Sequence, residues 1–149
     1  MKNLIISLLI SLGVGGLSAL ITGGSMDTYM HLTKPPLAPP SILFPIVWTI
    51  LFILMGISSY MIYESGDDNS SLKTYLLQLV INFIWPILFF VLDYRLLALI
   101  WIILLDIIVI IMIVKFYKNN KIAAYLQIPY LLWILFATYL NLGFYILNK

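Results

Sequence analysis

Four prolines within six residues stand directly ahead of a long apolar run in the stretch Lys34-Pro35-Pro36-Leu37-Ala38-Pro39-Pro40-Ser41-Ile42-Leu43-Phe44-Pro45-Ile46-Val47-Trp48. Because proline fixes φ and lacks a backbone donor, residues 35–40 are predicted to form a stiff, extended segment. Ser41 suits the N-cap of a helix, and Pro45 falls in the first turn, where a missing N–H costs little. The stretch therefore predicts a rigid loop that leads directly into a helix running to about Tyr63.

The composition of the chain is that of a membrane protein. Of its 149 residues, 63% are hydrophobic and 9% are charged, which leaves too little polar surface to cover a soluble globule. Five apolar blocks are long enough to cross a bilayer, whose hydrocarbon core takes about 20 helical residues. These blocks, called spans 1 to 5, cover residues 4–21, 42–63, 72–92, 96–114 and 122–147. The predicted fold is all-α: one domain, residues 1–149, forming an integral membrane bundle of five transmembrane helices.

Span 1 has two interpretations. Lys2 ahead of an apolar run resembles a secretory signal. Gly13, Gly15, Gly16 and Ser18 favour an uncleaved helix instead, because small residues let membrane helices approach closely. Residues 22–41, which follow, are predicted to fold as a cover over the bundle.

Three spans carry aromatic and amide side chains along one helical face. The faces are Trp48, Phe52, Met55, Ser59 and Tyr63 in span 2, Tyr75, Gln78, Asn82, Trp85 and Phe89 in span 3, and Tyr130, Trp133, Ala137, Asn141 and Tyr145 in span 5. Any one face could serve helix packing alone. Amides in hydrocarbon need partners, however, so the faces are predicted to point at protein or at a cavity. Together they predict an aromatic, uncharged cleft for a large, flat, apolar ligand.

Several classes of function are disfavoured by the sequence. The chain has no cysteine and one histidine, His31, so it lacks the usual ligand sets for zinc, and no metal or required cofactor is predicted. Its net charge of +2, from scattered basic residues, gives no electrostatic footprint for nucleic acid. No nucleophile elbow accompanies His31, so covalent hydrolysis is unsupported.

Asp106 is an acidic residue near the middle of span 4. An unpaired carboxylate at that depth costs several kcal/mol, so the side chain is predicted to point inward, protonated or hydrogen-bonded. Two interpretations remain: an interhelical tie to an Asn or a Tyr, or a proton relay.

The basic residues favour one orientation in the membrane. Lys2, Lys73, Lys115, Lys118 and Lys121 lie on one side, and Lys34, Arg95 and Lys149 on the other. By the positive-inside rule, this distribution predicts a cytoplasmic N-terminus and an external proline loop. The acidic loop 64–71 is interpreted as a solvated connector.

These motifs resemble those of the TspO/MBR family, the tryptophan-rich sensory proteins and translocator proteins. The similarity covers nearly the whole chain in order: Lys34-Pro35, Pro39-Pro40, residues 44–56, Asn82-Phe83-Ile84-Trp85-Pro86, Asp106, Pro129-Tyr130-Leu131-Leu132-Trp133 and residues 136–141. It implies a five-helix bundle, usually a homodimer, that binds porphyrins such as protoporphyrin IX, sterols and benzodiazepine-type drugs beneath the first loop. Some bacterial members are reported to promote light-dependent porphyrin breakdown.

The resemblance also implies particular residues. Family ligand positions fall on Tyr29, Pro39, Trp48, Asn82, Trp133 and Ala137, with Trp48 and Trp133 implicated in porphyrin chemistry. The helical faces add Phe52, Trp85, Phe89 and Asn141 as ligand-binding candidates. Two positions depart from the family, since Leu37 and Phe52 stand where an aromatic and a tyrosine are usual. A loose sterol pattern survives as Leu142, Tyr145 and Lys149, for which interfacial anchoring is the alternative.

The predicted function is a receptor or carrier for porphyrins and other flat apolar ligands, such as sterols or benzodiazepine-type drugs. The protein is expected to be a multi-pass protein of a bacterial cell membrane. Two alternatives stay open. One is a light-dependent porphyrin-degrading enzyme that uses Trp48 and Trp133. The other is a proton-coupled transporter of small amphipathic molecules that uses Asp106.

Overall fold

The computed structural model describes residues 1–66 and 69–148, without the side chains of residues 26–28. Asp67 and Asp68 of the acidic loop, and Lys149 of the sterol pattern, lie outside the described residues. Every regular element in the described part is helical. The α-helices are α1 (Lys2–Thr22), α2 (Met26–His31), α3 (Leu43–Glu64), α4 (Ser70–Pro86), α5 (Arg95–Asn119), α6 (Lys121–Leu126) and α7 (Ile128–Leu147), with a 3₁₀ turn at Gly23–Ser25 and a π-helical segment at Ile87–Val91.

The prediction of an all-α membrane bundle is confirmed. Five continuous helical segments are long and apolar enough to cross a bilayer, namely Lys2–Ser25, Leu43–Glu64, Ser70–Val91, Arg95–Asn119 and Lys121–Leu147. Their outward surfaces expose many Leu, Ile and Val side chains, which is the surface that lipid tails require. The molecule is therefore a multi-pass integral membrane protein.

The bundle is built from helix pairs. α5 packs against both α4 and α7, while α3 packs against α1 and α6. Met55, Ile62, Ile102 and Ile134 are fully buried between the helices. This packing leaves α1, α3, α4 and α7 to enclose the site described below.

α1 is an integral helix of this bundle and approaches α3 closely. A Cβ added at Gly15 would lie 2.6 Å from the ring of Phe52, and one at Gly56 would meet α1 in the same way. Gly13 and Gly16, however, have no neighbouring atom within 4 Å. Only part of the glycine-rich stretch in span 1 therefore serves close packing.

The loop between α2 and α3, residues 32–42, is called the lid. The prediction of a stiff, extended segment over residues 35–40 was wrong at its centre. Leu37 has a φ of 71°, and the Ala38 amide donates to the Pro35 carbonyl over 3.3 Å. Pro36 at the second position and a positive φ at the third are the requirements of a type II turn. The lid is therefore rigid because it is folded back on itself.

The helix after the lid starts slightly later than predicted. α3 begins at Leu43, and Ile42 occupies the N-cap without a side-chain hydrogen bond, so the assignment of Ser41 as N-cap was wrong. The Pro40 and Ser41 carbonyls accept the amides of Leu43 and Phe44, which continues the lid directly into the helix by backbone contacts. Pro45 lies in the first turn of α3, as predicted.

Candidate ligand-binding site

The lid is fixed to α7 along one edge. A Cβ added at Gly143 would lie 2.5 Å from the Pro35 ring, so the ring packs against the α7 backbone at a point that only glycine permits. The Tyr139 hydroxyl donates to the Pro36 carbonyl over 2.6 Å. Asn148 holds the lid residue Thr33 by side-chain hydrogen bonds. The position of the lid is therefore set by α7.

Tyr29 of α2 supports the lid from below. Its ring is 1% exposed and its hydroxyl donates to the Pro39 carbonyl over 2.5 Å. Burial raises the pKa of the Tyr29 hydroxyl, so the phenol stays neutral and keeps its proton for this hydrogen bond. Phe44 and Phe144 pack against the Tyr29 ring at centroid distances of 5.1 and 5.3 Å.

A cavity of about 350 Å³ lies beneath the lid, between α1, α3, α4 and α7. This volume is within the range of small-molecule sites. Among the residues that the structure describes, the wall contains no charged side chain. Six candidates from the sequence line it: Trp48, Phe52, Asn82, Trp85, Trp133 and Ala137. The predicted convergence of three helical faces on one hollow is therefore present in the structure.

The other sequence candidates lie elsewhere. Tyr29, Phe89 and Asn141 border a separate void of about 20 Å³ beside the cavity, which Ala137 also borders. Pro39 borders neither space, and its carbonyl is occupied by Tyr29. These residues are placed to support the lid and the wall.

Trp48 and Trp133 lie against each other in the wall of the cavity. Their ring centroids are 6.5 Å apart at an interplanar angle of 87°, an edge-to-face pair. Trp133 Nε1 is buried and has no hydrogen-bond partner among the described residues. A ligand acceptor that reached this N–H would supply the missing hydrogen bond.

A buried polar chain orients Asn82. Its Nδ2 donates to the Tyr130 hydroxyl over 2.7 Å, and that hydroxyl donates to Gln78 Oε1 over 2.6 Å. All three side chains are buried. The chain runs from the cavity wall into the packed core, so Asn82 is held in place by α7.

A second polar chain fixes Trp85. Trp85 Nε1 donates to Asn141 Oδ1 over 3.0 Å, and Asn141 Nδ2 donates to the Arg95 carbonyl over 2.9 Å. The indole also stacks on Phe89, at a centroid distance of 5.4 Å and an angle of 27°. Asn141 thus positions the wall instead of lining the cavity.

Sequence reasoning missed a fourth wall of the cavity. Gly15, Ser18, Ala19 and Thr22 of α1 line it. Their spacing of three and four residues marks one helical face, which was interpreted only as a packing surface. Phe44 and Phe90 were also missed, although both lie in aromatic motifs of the lid junction and the π-helical segment.

Two members of the predicted faces, Tyr63 and Tyr145, are not enclosed by the bundle. Tyr63, at the end of α3, is 57% exposed, so its assignment to an inward face was wrong. The helix has passed the level of the cavity by that residue and reaches the end of the bundle. Tyr145 is half-buried and Leu142 is exposed, which leaves the sterol pattern at the surface of α7.

Asp106 points inward but not into the cavity. It is 7% exposed, and its Oδ2 lies 2.6 Å from Thr138 Oγ1, which links α5 to α7. The predicted hydrogen bond between helices is therefore present, but the partner of Asp106 is Thr138, whereas an Asn or a Tyr was predicted. This contact favours the structural interpretation of Asp106.

The chain is similar to known proteins over most of its length. The model of the TspO/MBR family matches residues 6–147. The chain is 43% identical to the tryptophan-rich protein TspO of Archaeoglobus fulgidus, over 98% of this chain and 97% of the relative. It is 38% identical to the tryptophan-rich protein TspO of Chlorobaculum tepidum, over 80% and 78%. It is 34% identical to the translocator protein of Sus scrofa, over 81% and 75%.

Proposed function

Because the chain belongs to the TspO/MBR family, we propose that it is a receptor or carrier that binds porphyrins such as protoporphyrin IX in the cavity beneath the lid. Sterols and benzodiazepine-type drugs are further candidates, since they are also flat and apolar. The proposal is carried by one observation: the Trp48–Trp133 pair borders an uncharged cavity of about 350 Å³. Indole rings supply large contact areas and stacking geometry for a conjugated ring system.

The absence of charged side chains in the described wall favours one orientation of a bound porphyrin. Its carboxylates would be costly to place in an apolar interior without a cation. The apolar edge of the macrocycle therefore enters first, and the carboxylates stay at the mouth. Gly23 and the lid residue Ser41 both line the cavity. No cofactor beyond the ligand itself is required for binding.

Titration with protoporphyrin IX tests the proposal, with binding followed by the shift of the porphyrin absorbance band. Trp48→Ala should raise Kd about tenfold or more, because a stacking surface is lost. Trp101→Ala is the matched control, since Trp101 lies outside the wall and donates to the Ile81 carbonyl. Equal effects of the two substitutions, or no saturable binding, would reject the proposal.

Light-dependent porphyrin breakdown is the second candidate function. The position of Trp48 and Trp133 side by side in the cavity wall favours it, because both indoles would contact a bound macrocycle and could donate electrons to its excited state. The double variant Trp48→Phe/Trp133→Phe should lose turnover under illumination. Unchanged turnover in this variant would exclude the two indoles as donors.

We further propose that the protein forms the homodimer usual in its family, with the N-terminus in the cytoplasm. The basic residues near the ends of α1, α5 and α6 support the orientation. Thiol labelling in whole cells tests it cleanly, because the chain has no native cysteine. A cysteine at Lys2 should be protected from an impermeant reagent, and one at Lys34 should react.

A further inference from the structure

A small void lies beside the main cavity. It measures about 20 Å³ and is bordered on its far side by Tyr29, Phe89, Leu140 and Phe144. One water-sized group needs roughly 10–15 Å³ by this kind of measure. The void thus has room for a single methyl-sized group.

The polar atoms around the void are already engaged. The Tyr29 hydroxyl donates to Pro39, Trp85 Nε1 donates to Asn141 Oδ1, and Asn141 Nδ2 donates to Arg95. A water in the void would need two or more polar partners, and each polar group beside it already hydrogen-bonds to another protein group. The void is therefore suited to an apolar group.

The partition between the two spaces is thin. Phe44, Trp85, Phe90 and Ala137 border both. Ala137 contributes only a methyl group, and Phe90 belongs to the π-helical segment Ile87–Val91. The void and the cavity therefore share a wall made of these four side chains.

We infer that the void is a side pocket that receives one small apolar substituent of the ligand, and that Leu140 and Phe144 set the length it accepts. The inference rests on the proposed porphyrin site. It specifies a ligand class: a flat macrocycle with a vinyl- or ethyl-sized group on the edge that enters first. A hydroxyl on that group would be buried without a partner, which disfavours it.

Three porphyrins that differ only at two ring positions test the inference. Deuteroporphyrin IX carries hydrogen there, mesoporphyrin IX carries ethyl, and haematoporphyrin IX carries hydroxyethyl. Each buried methylene strengthens binding about fourfold. Because the void has room for one such group, mesoporphyrin IX should bind about fourfold more tightly than deuteroporphyrin IX, and haematoporphyrin IX should lose that gain.

Leu140→Phe fills the void. In this variant mesoporphyrin IX and deuteroporphyrin IX should bind with about the same Kd, and deuteroporphyrin IX should bind as tightly as it does to the native chain. Leu132→Phe is the matched control, because Leu132 is 62% exposed on the outer face of the same helix. If Leu140→Phe does not fold, Phe144→Leu serves instead. This substitution widens the void, so the variant should bind a dipropyl analogue more tightly than the native chain does.

The outcomes separate the two proposals. Equal Kd values for the three porphyrins, or a preference that Leu140→Phe leaves unchanged, would overturn the side pocket while porphyrin binding stands. Failure of all three to bind would overturn the porphyrin site and the side pocket with it.

Discussion

Asn148 and Thr33 are joined by two hydrogen bonds although they lie 115 residues apart in the chain. The Thr33 amide donates to Asn148 Oδ1 over 2.9 Å, and Asn148 Nδ2 donates to the Thr33 carbonyl over 2.8 Å. The side-chain amide thus pairs with the backbone of the lid as a neighbouring β-strand would. This clamp joins the start of the lid to the C-terminal end of α7.

Asn148→Ala should speed ligand release. Removing the clamp deletes two hydrogen bonds, each with a net contribution of about 0.5–1.5 kcal/mol. We expect the dissociation rate of protoporphyrin IX to rise about tenfold in stopped-flow experiments. Asn3→Ala, which removes an exposed contact to Glu64 in another part of the bundle, is the control. A dissociation rate equal to that of the native chain would show that the lid does not gate release.

Gly143→Ala should displace the lid. The added Cβ would meet the Pro35 ring at 2.5 Å, and this rigid ring cannot yield without moving the lid. We expect weaker porphyrin binding and a lower Tm. Gly13→Ala is the matched change at a helical glycine with no atom within 4 Å, and it should leave both quantities unchanged. Similar behaviour of the two variants would contradict the contact between α7 and the lid.

Thr138→Val should destabilise the bundle more than Asp106→Asn does. The valine leaves the buried Asp106 side chain without its partner, at a cost of about 1–3 kcal/mol. Asparagine keeps the size and one hydrogen bond to Thr138. Thermal unfolding in detergent measures the difference. If instead Asp106→Asn abolished ligand uptake at unchanged stability, Asp106 would be a proton relay and not a tie.

Tyr130→Phe should weaken porphyrin binding although Tyr130 does not line the cavity. Loss of the hydroxyl removes the contacts that orient Asn82 and leaves Gln78 Oε1 without that donor. We expect a loss of stability of about 1–3 kcal/mol and a several-fold higher Kd. Tyr125→Phe is the control, since Tyr125 is 54% exposed. An unchanged Kd would mean that the orientation of Asn82 does not matter for binding.

The helical faces of spans 3 and 5 could be predicted because buried amides and indoles repeat at helical spacing. Gln78, Asn82 and Trp85 recur every three or four residues, and hydrocarbon forces such side chains toward protein. The structure buries all three. Local periodicity together with the cost of exposing an amide to lipid was therefore sufficient at these positions.

Features that depend on contacts distant in sequence could not be predicted. Leu37 adopts a positive φ in the lid, which folds onto α7. Leucine does not favour a positive φ, so the local sequence does not predict this turn. Likewise, the choice of Thr138 as partner of Asp106 depends on the rotation of α7 relative to α5. The contribution of α1 to the cavity wall could not be predicted, because small residues are equally typical of helix packing and of cavity lining.

Fluorine NMR of the protein labelled with 5-fluorotryptophan tests the central claim most directly. The chain has four tryptophans, and single Trp→Phe variants assign their resonances. Ring currents of a bound porphyrin act only at short range. On titration with protoporphyrin IX, the Trp48 and Trp133 resonances should shift saturably while that of Trp101 stays in place. Shifts confined to Trp101, with Trp48 and Trp133 unmoved, would contradict a porphyrin site in the cavity that these two indoles border.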